Sequence, residues 1–323
     1  MSLIEIGTIV GDRYEITRLL GAGGMGVVYE AIVKHEPQRR RVAIKFLNPQ
    51  LAVSREWRKR FEREVRMGSS LKSDHIARIR ACGTEPVPDD PDRQWPWIAF
   101  DYLEGESLGQ RLERGGSASF EDVAWMIEHL LRGLDVAHRA GLVHRDIKPA
   151  NLFLEGGAQL RILDFGIAKE LGGAMTALTN VDKIYGTRQY ISPEQFANSS
   201  DVDGRADLYS AGLVAYELLT GALPDERRDP KAITEARTLA HLPPLGRTTG
   251  LAWPSEVDAW IQRMANPRRD ERFRTANDAL AAWLTICAMM KGREPLRVQL
   301  GAARGGARPA DTVTAVRSSL PRR

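Results

Sequence analysis

The run His144-Arg145-Asp146-Ile147-Lys148-Pro149-Ala150-Asn151, followed by Asp164-Phe165-Gly166, organises the rest of this chain. Upstream of it, Val123, Ile127, Leu130, Leu131 and Leu134 repeat as a core-facing stripe, and Ser119 with Asp122 resembles a capping box. That pattern predicts a helix over residues 119–140 that delivers the chain to this run. Downstream, residues 206–220 are apolar nearly all round, as a buried central helix should be, with Asp207 near its start in a position to cap or anchor. The scaffold therefore gathers two carboxylates, an amide and a lysine in one short stretch. Such a set can hold metal-bound phosphate beside a hydroxyl.

The first hundred residues read differently. Residues 13–21 and 26–34 are β-rich runs joined by Gly21-Ala22-Gly23-Gly24-Met25-Gly26. Alone, this Gly-x-Gly-x-x-Gly fits a flexible hairpin or a dinucleotide-binding turn, but a strand follows it rather than the helix a dinucleotide site needs. A glycine hairpin lets backbone N–H groups approach phosphates with no Cβ in the way. Val42-Ala43-Ile44-Lys45 is a short strand ending in a lysine. A helix should begin at Ser54, where Trp57, Phe61 and Val65 make one apolar stripe with Glu64 beside it and Glu62 further round. Residues 85–92, rich in proline and acid, read as a solvated loop, and residues 97–102 as a strand. Further helices are expected over 254–264 and 276–289.

Length and charge sharpen the division. A chain of 323 residues fits two lobes or domains plus a tail, and an apolar fraction of 43% is that of a globular protein. Residues 291–323 hold eight basic and two acidic residues, leaving 38 basic and 40 acidic in the first 290. The folded part is not a nucleic-acid-binding surface by composition, and the net charge of +4 belongs to a Gly-, Arg- and Pro-rich tail expected to be disordered. The apolar stretch 280–290 is too short to span a bilayer, and the first residues lack a basic and an apolar signal region, so a cytoplasmic location is expected. Cys82 and Cys287 read as two reduced core cysteines.

Together these motifs resemble the protein kinases, and Gly186-Thr187-x-x-Tyr190-x-Ser192-Pro193-Glu194-Gln195 resembles in particular the eukaryotic-like (Hanks-type) bacterial Ser/Thr kinases. The resemblance covers about residues 12–290. It implies an α+β bilobal fold: a small β-rich N-lobe with one key helix over 12–103, a larger mostly α-helical C-lobe over 104–290, and the tail over 291–323. It implies ATP with Mg2+ (or Mn2+) as cofactor and proteins as substrates. Asp146 would accept the proton of the acceptor hydroxyl, Lys148 would reach the γ-phosphate, and Asn151 and Asp164 would hold the metal. Lys45 would hold the α- and β-phosphates, itself fixed by Glu64, which matches the Phe-x-x-Glu pattern from Phe61. The backbone of Gly21, Ala22, Gly23, Gly24, Met25, Gly26 and Val27 would cover the phosphates. Leu20, Val28, Ala43 and Phe153 would sandwich the adenine, and the backbone of Asp101 and Leu103 would bond its edge. Phe100 would guard a deeper pocket.

By the same resemblance, Lys148 and Thr187 mark Ser/Thr acceptors, and Arg145 can bind a phosphate carried by Thr176 or Thr179 in the segment 164–194. Arg272 stands where a buried arginine pairs with Glu194. A homodimer formed through the N-lobe is an expectation of the resemblance alone. Two other readings carry different signatures. A non-catalytic scaffold would lack the lysine, the catalytic Asp or the metal Asp, and all three are present as Lys45, Asp146 and Asp164. A small-molecule phosphotransferase would lack the glycine loop and the Ser-Pro-Glu segment together.

Overall fold

The computed structural model describes residues 4–23, 26–48, 55–164, 189–197, 201–224, 241–292 and 296–301. The chain separates into two compact units. One holds the residues up to Ser70 together with Arg78–Glu104; the other holds Leu71–Ala77 and the described residues from Gly105 on. The division thus falls one residue later than the expected 103/104, and a short internal segment belongs with the helical part. The reason lies in backbone pairing. His75 O accepts from Ile162 N (2.8 Å) and Ala77 N donates to Ile162 O (2.9 Å), which ties that segment to a later strand.

The first unit is a six-stranded antiparallel sheet built from β1 (Ile9–Val10), β2 (Tyr14–Gly23), β3 (Gly26–Val33), β4 (Arg41–Leu47), β5 (Ile79–Val87) and β6 (Asp90–Asp101), in the order β1-β2-β3-β4-β6-β5. Alternation along β3 and β4 sends Val27, Tyr29, Ala31, Val42, Ile44 and Phe46 to one face, where they form an apolar core with Trp95 and Trp97. The edge-to-face pairs Tyr14–Trp97 and Tyr29–Phe46 fill it. Among the described residues of this unit the one helix, α1 (Arg55–Ser70), buries Phe61 and Val65 and sets Gly68 against Ile79 of β5. The Trp57 side chain and Ser54 lie outside what is described.

Two expectations change here. The proline-rich residues 85–92 are not a loop: β5 and β6 continue through them and close in a tight turn, with Pro86 opposite Gln94 and Val87 opposite Asp90. β5 is an edge strand, where a proline costs no ladder hydrogen bond on its outer side. Cys82 therefore lies on an exposed edge rather than in the core, and Cys287 is half-buried; both thiols are free.

The second unit is mostly helical: α2 (Leu108–Arg114), α3 (Phe120–Arg139), α4 (Pro193–Phe196), α5 (Arg205–Thr220), α6 (Leu245–Thr249), α7 (Ser255–Met264) and α8 (Ala276–Met290). Ser119 caps α3 with Asp122 reciprocating, as the sequence predicts. α5 is buried over nearly its whole length, and Gly212 lets α7 come within a Cβ's reach of it at Met264. Trp283 of α8 donates to Ala124 O of α3 (3.1 Å) and stacks with Trp260 of α7. A three-stranded sheet, β7 (Gly105–Ser107), β9 (Leu152–Glu155) and β10 (Gln159–Ile162), carries the chain into and out of the polar run.

The tail expected to be disordered from 291 departs from that expectation over β11 (Arg297–Leu300), which pairs antiparallel with β8 (Gly116–Ser119). Val298 and Leu300 are 1% and 0% exposed. Alternation of these two apolar residues with Arg297 and Gln299 is the strand signal, but four residues are too few to stand out in a polar, glycine-rich background. Among the described residues no helix is long and apolar enough to cross a membrane.

Candidate active site

In the first unit, β2 and β3 form the glycine hairpin, with Gly23 opposite Gly26, Ala22 opposite Val27 and Gly21 opposite Val28. Gly24 and Met25 at its tip lie outside the described residues. Gly26 must be glycine: φ is +147°, and a Cβ would sit 1.9 Å from Phe46 O. Val27 turns its side chain into the core, so only its backbone is available to a ligand. Val28 is half-buried on the other face.

Residues two apart on a strand share a face. Ala43 and Lys45 of β4 therefore lie on Val28's side, and across to β6 Ala43 faces Phe100 and Lys45 faces Ile98. Val28 pairs directly with Lys45. Sheet parity alone thus collects Val28, Ala43, Lys45 and Phe100 on the face opposite the core, with Leu20 buried at the β2 bulge. Asp101 ends β6, where its carboxylate is held by Arg80 and its N–H donates to Arg78 O (3.1 Å). Leu103, two residues on, is half-buried. On α1, Glu64 is half-buried and Glu62 exposed, the order that the helical stripe predicts.

In the second unit, the polar run is held by buried hydrogen bonds. Asp207, in the first turn of α5, is 1% exposed. Its Oδ2 accepts from His144 N (2.7 Å) and His138 Nε2 (2.8 Å), and its Oδ1 from Arg145 N (2.7 Å). Burial works against the Asp207 carboxylate, but the hydrogen bonds it accepts from His138 and from the His144 N–H hold its pKa below the usual carboxylate value. The ring of His144 is completely buried. Its Nδ1 accepts from Asp146 N (3.2 Å), so Nε2 carries the proton and donates to Leu163 O (2.7 Å). Burial pushes the His144 pKa down, which keeps the ring in this neutral form.

These bonds leave Asp146 at 7% exposure with its carboxylate fixed. Asn151 Nδ2 donates to Asp146 O (2.8 Å) and Oδ2 (3.0 Å), and Lys148 Nζ stands 3.3 Å from the same Oδ2. Asn151 closes a single 3-10 turn, Pro149–Asn151, and its carbonyl accepts from Leu163 N (2.8 Å), one residue before Asp164. Arg145 and Asp164 both have positive φ (63° and 49°). Such angles are uncommon for non-glycine residues; Asp12, His35 and Arg39 hold them in exposed turns, Arg145 and Asp164 within this polar region.

The donor chemistry suits a hard cation. Asn151 spends its N–H on Asp146, which leaves its amide oxygen to ligate, and Asp164 adds a carboxylate one residue beyond the tethered Leu163. Mg2+ accepts such a set, because it keeps waters and phosphate oxygens for the rest of its octahedron. Among the described residues no cluster of three or more His, Cys, Asp or Glu offers a fuller cage.

Phe153 sits half-buried on β9, opposite Arg161 and Ser107. Phe165, Gly166, Thr176, Thr179 and Thr187 lie outside the described residues. The expected Arg272–Glu194 pair is present and bidentate (2.6 and 2.9 Å), with Arg272 fully buried over Tyr209. Sequence reading passed over His138 and gave His144 and Gln195 no role, although Gln195 Nε2 donates to Arg145 O (3.0 Å). The polar residues near Asp207 in sequence would not have revealed these partners; the contacts span 50 to 69 positions.

Residues 14–283 match the protein kinase domain. The chain is 38% identical over 225 residues to the probable serine/threonine-protein kinase SCO3848 of Streptomyces coelicolor, a match covering 69% of this chain and 32% of that protein. It is 31% identical over 277 residues to the serine/threonine-protein kinase PknB of Mycolicibacterium smegmatis, covering 86% of this chain and 43% of that one. The chain thus spans less than half the length of these curated relatives. Among solved structures, the Mycobacterium tuberculosis PknI kinase domain is similar with a TM-score of 0.67 at 28% identity, covering 88% of this chain and 100% of that one. A glycine hairpin before a lysine strand, a buried polar run anchored on a central helix, and a match over most of the length agree: the chain belongs to the protein kinase domain family.

Proposed function

We propose that this chain is a serine/threonine protein kinase that moves the γ-phosphate of ATP to hydroxyls of protein substrates. The observation that carries the reading is the Asp146 carboxylate, buried and immobilised on one oxygen by Asn151 and Lys148. A carboxylate so fixed can accept a hydrogen bond from a substrate hydroxyl and orient it. Lys148, whose ammonium stands 3.3 Å from Asp146 Oδ2, would neutralise the transferred phosphoryl group. Bound Mg2+ (or Mn2+) would offset the charge of the phosphate oxygens, with Asp164 and Asn151 as its protein ligands. Lys45 would hold the α- and β-phosphates, fixed by Glu64. The backbone of Gly21, Ala22, Gly23, Gly24, Met25, Gly26 and Val27 would lie over the phosphates. Leu20, Val28, Ala43 and Phe153 would enclose the adenine, with the Asp101 and Leu103 backbone at its edge.

Serine or threonine as acceptor follows from the resemblance at Lys148 and Thr187, and the names of the relatives, both serine/threonine-protein kinases, support it. Residues 12–103 would serve as the nucleotide-holding lobe and 104–290 as the substrate-holding lobe. ATP as phosphate donor and two free thiols fit a cytoplasmic site of action. Self-activation through Thr176 or Thr179, read by Arg145, and pairing of two copies through the first unit rest on resemblance.

The test is incubation of the purified chain with labelled ATP and Mg2+ beside Asp146→Asn and Lys45→Met, with phosphosites mapped. Loss of the proton-accepting carboxylate should lower phosphoryl transfer by about 10²–10⁴-fold. Label on Thr176 or Thr179 in the wild type alone supports self-activation. Equal labelling by wild type and Asp146→Asn would sink the reading.

A further inference from the structure

The face that carries Val28, Ala43 and Lys45 does not end at the adenine residues. Along β4 the next residue on that face is Arg41, and along β3 it is Glu30. Arg18 of β2 stands directly opposite Glu30 in the strand register. An otherwise apolar face thus runs out into three charged side chains.

Their geometry converges on one residue. Arg18 Nη2 donates to Glu30 Oε2 (2.6 Å) and its Nε to the same oxygen (3.1 Å), and Nη2 also reaches the Tyr102 hydroxyl (3.2 Å). The Arg41 guanidinium lies over the Tyr102 ring, 4.4 Å from its centroid, and its Nη2 bonds Glu104. Arg41 Nη1 is 3.9 Å from Glu30 Oε1. Glu30 is only 9% exposed. Tyr102 lies between Asp101 and Leu103, the two residues assigned to the adenine edge, and is gripped at both its hydroxyl and its ring.

Stability does not account for this arrangement. A partly buried ion pair gains little over an apolar residue of the same volume, because desolvation offsets the attraction. Holding one conformation is a use attested for such groups in some proteins. The Arg80–Asp101 pair holds the end of β6 itself, one residue before Tyr102.

We propose that Arg18, Glu30, Arg41 and Tyr102 form a clamp that positions the Asp101–Leu103 backbone and so sets affinity for the adenine end of the nucleotide. These are positioning residues: none is placed to touch a phosphate. The proposal rests on the nucleotide site assigned above.

The test measures ATP and adenosine binding, by competition with a fluorescent ATP analogue, together with kcat and KM for ATP. The full chain is compared with Arg41→Gln, Glu30→Gln, Tyr102→Phe and Lys45→Met. Loss of pairs of this partly exposed kind should weaken binding by roughly three- to tenfold in Arg41→Gln and Glu30→Gln. ATP and adenosine should weaken by the same factor, and KM should rise more than kcat falls. Tyr102→Phe keeps the ring under Arg41 and should lose less; it also serves if the charge variants fold poorly. Lys45→Met should weaken ATP and spare adenosine. Unchanged adenosine affinity in Arg41→Gln and Tyr102→Phe, or a fall in kcat with KM constant, overturns the clamp. A Lys45→Met variant that binds ATP as the wild type does overturns the site assignment, and the clamp with it.

Discussion

The candidate residues of the first unit and those of the second are held by opposite principles. In the first unit, Val28, Ala43 and Lys45 share a face because β-strands alternate, and no side-chain partner is needed to put them there. In the second unit, Asp146 is in place because a carboxylate 61 positions later in the chain, Asp207, accepts the N–H groups of His144 and Arg145. One set is placed by local periodicity, the other by long-range buried hydrogen bonds. Damage to the first should therefore be graded, and damage to the second abrupt.

Asp207→Ala tests the abrupt side. It leaves two backbone N–H groups and His138 without their shared acceptor in a dry site, which should cost about 3–5 kcal/mol of stability. Thermal unfolding would show it, and activity should fall further than the loss of folded protein explains. A variant that kept both would mean that the polar run holds itself.

Gly26→Ala is the severest test of the sheet. The added methyl meets Phe46 O at a backbone angle that L-residues avoid, and roughly 2–4 kcal/mol should be lost. Denaturant unfolding of the variant gives the value. Because β3 cannot shift without moving Val28, nucleotide affinity should drop as well. Substitution at the nearby Gly23, where an added Cβ meets nothing within 4 Å, should leave stability unchanged.

β11 asks how far the second unit extends. Ending the chain after Met290 exposes the surface that Val298 and Leu300 cover and should cost about 2–4 kcal/mol, an upper figure because unfolded chains already bury some area. Ending it after Gly301 keeps β11 and is the reference in the same melts. Equal melting temperatures for the two would remove β11 from the folded unit.

The smallest effect is with pH. Burial holds the pKa of His144 below 6.5, and His75 and His129 shift the same way, burial again being the largest cause. Below pH 6.5 the unfolded chain takes up protons that these folded rings refuse, so stability should decline as pH falls through that range. Asp207 has the opposite charge logic. Its folded pKa lies below 3.8, so its contribution holds above that value and is lost as pH falls through the lower, folded pKa. Acid unfolding should therefore begin gently below pH 6.5 and steepen below pH 4. Replacing His75 and His129 with Gln should flatten the first stage, and an unaltered profile would assign it elsewhere.

Most of the scaffold was legible in the chain. The capping box at Ser119, the all-apolar helix at 206–220, the glycine hairpin and the Arg272–Glu194 pair were all read from local pattern or resemblance, and all are present. The failures share a cause. Pro86 and its acidic neighbours carry loop chemistry, and only their position at a sheet edge makes them a strand. Cys82 reads as a core residue until the sheet order places it on that edge.

What the chain determines by itself is whatever period and propensity encode: which residues share a face, where helices begin, which short runs carry reactive groups. What only the tertiary structure decided is partnership at long range. Asp207 anchors the polar run, His144 is held neutral by burial, Tyr102 is gripped by two arginines from different strands, and β11 finds β8 across some 180 residues of sequence. The physical reason is that a buried polar group is costly until its partner arrives, and packing, not sequence distance, determines which partner that is.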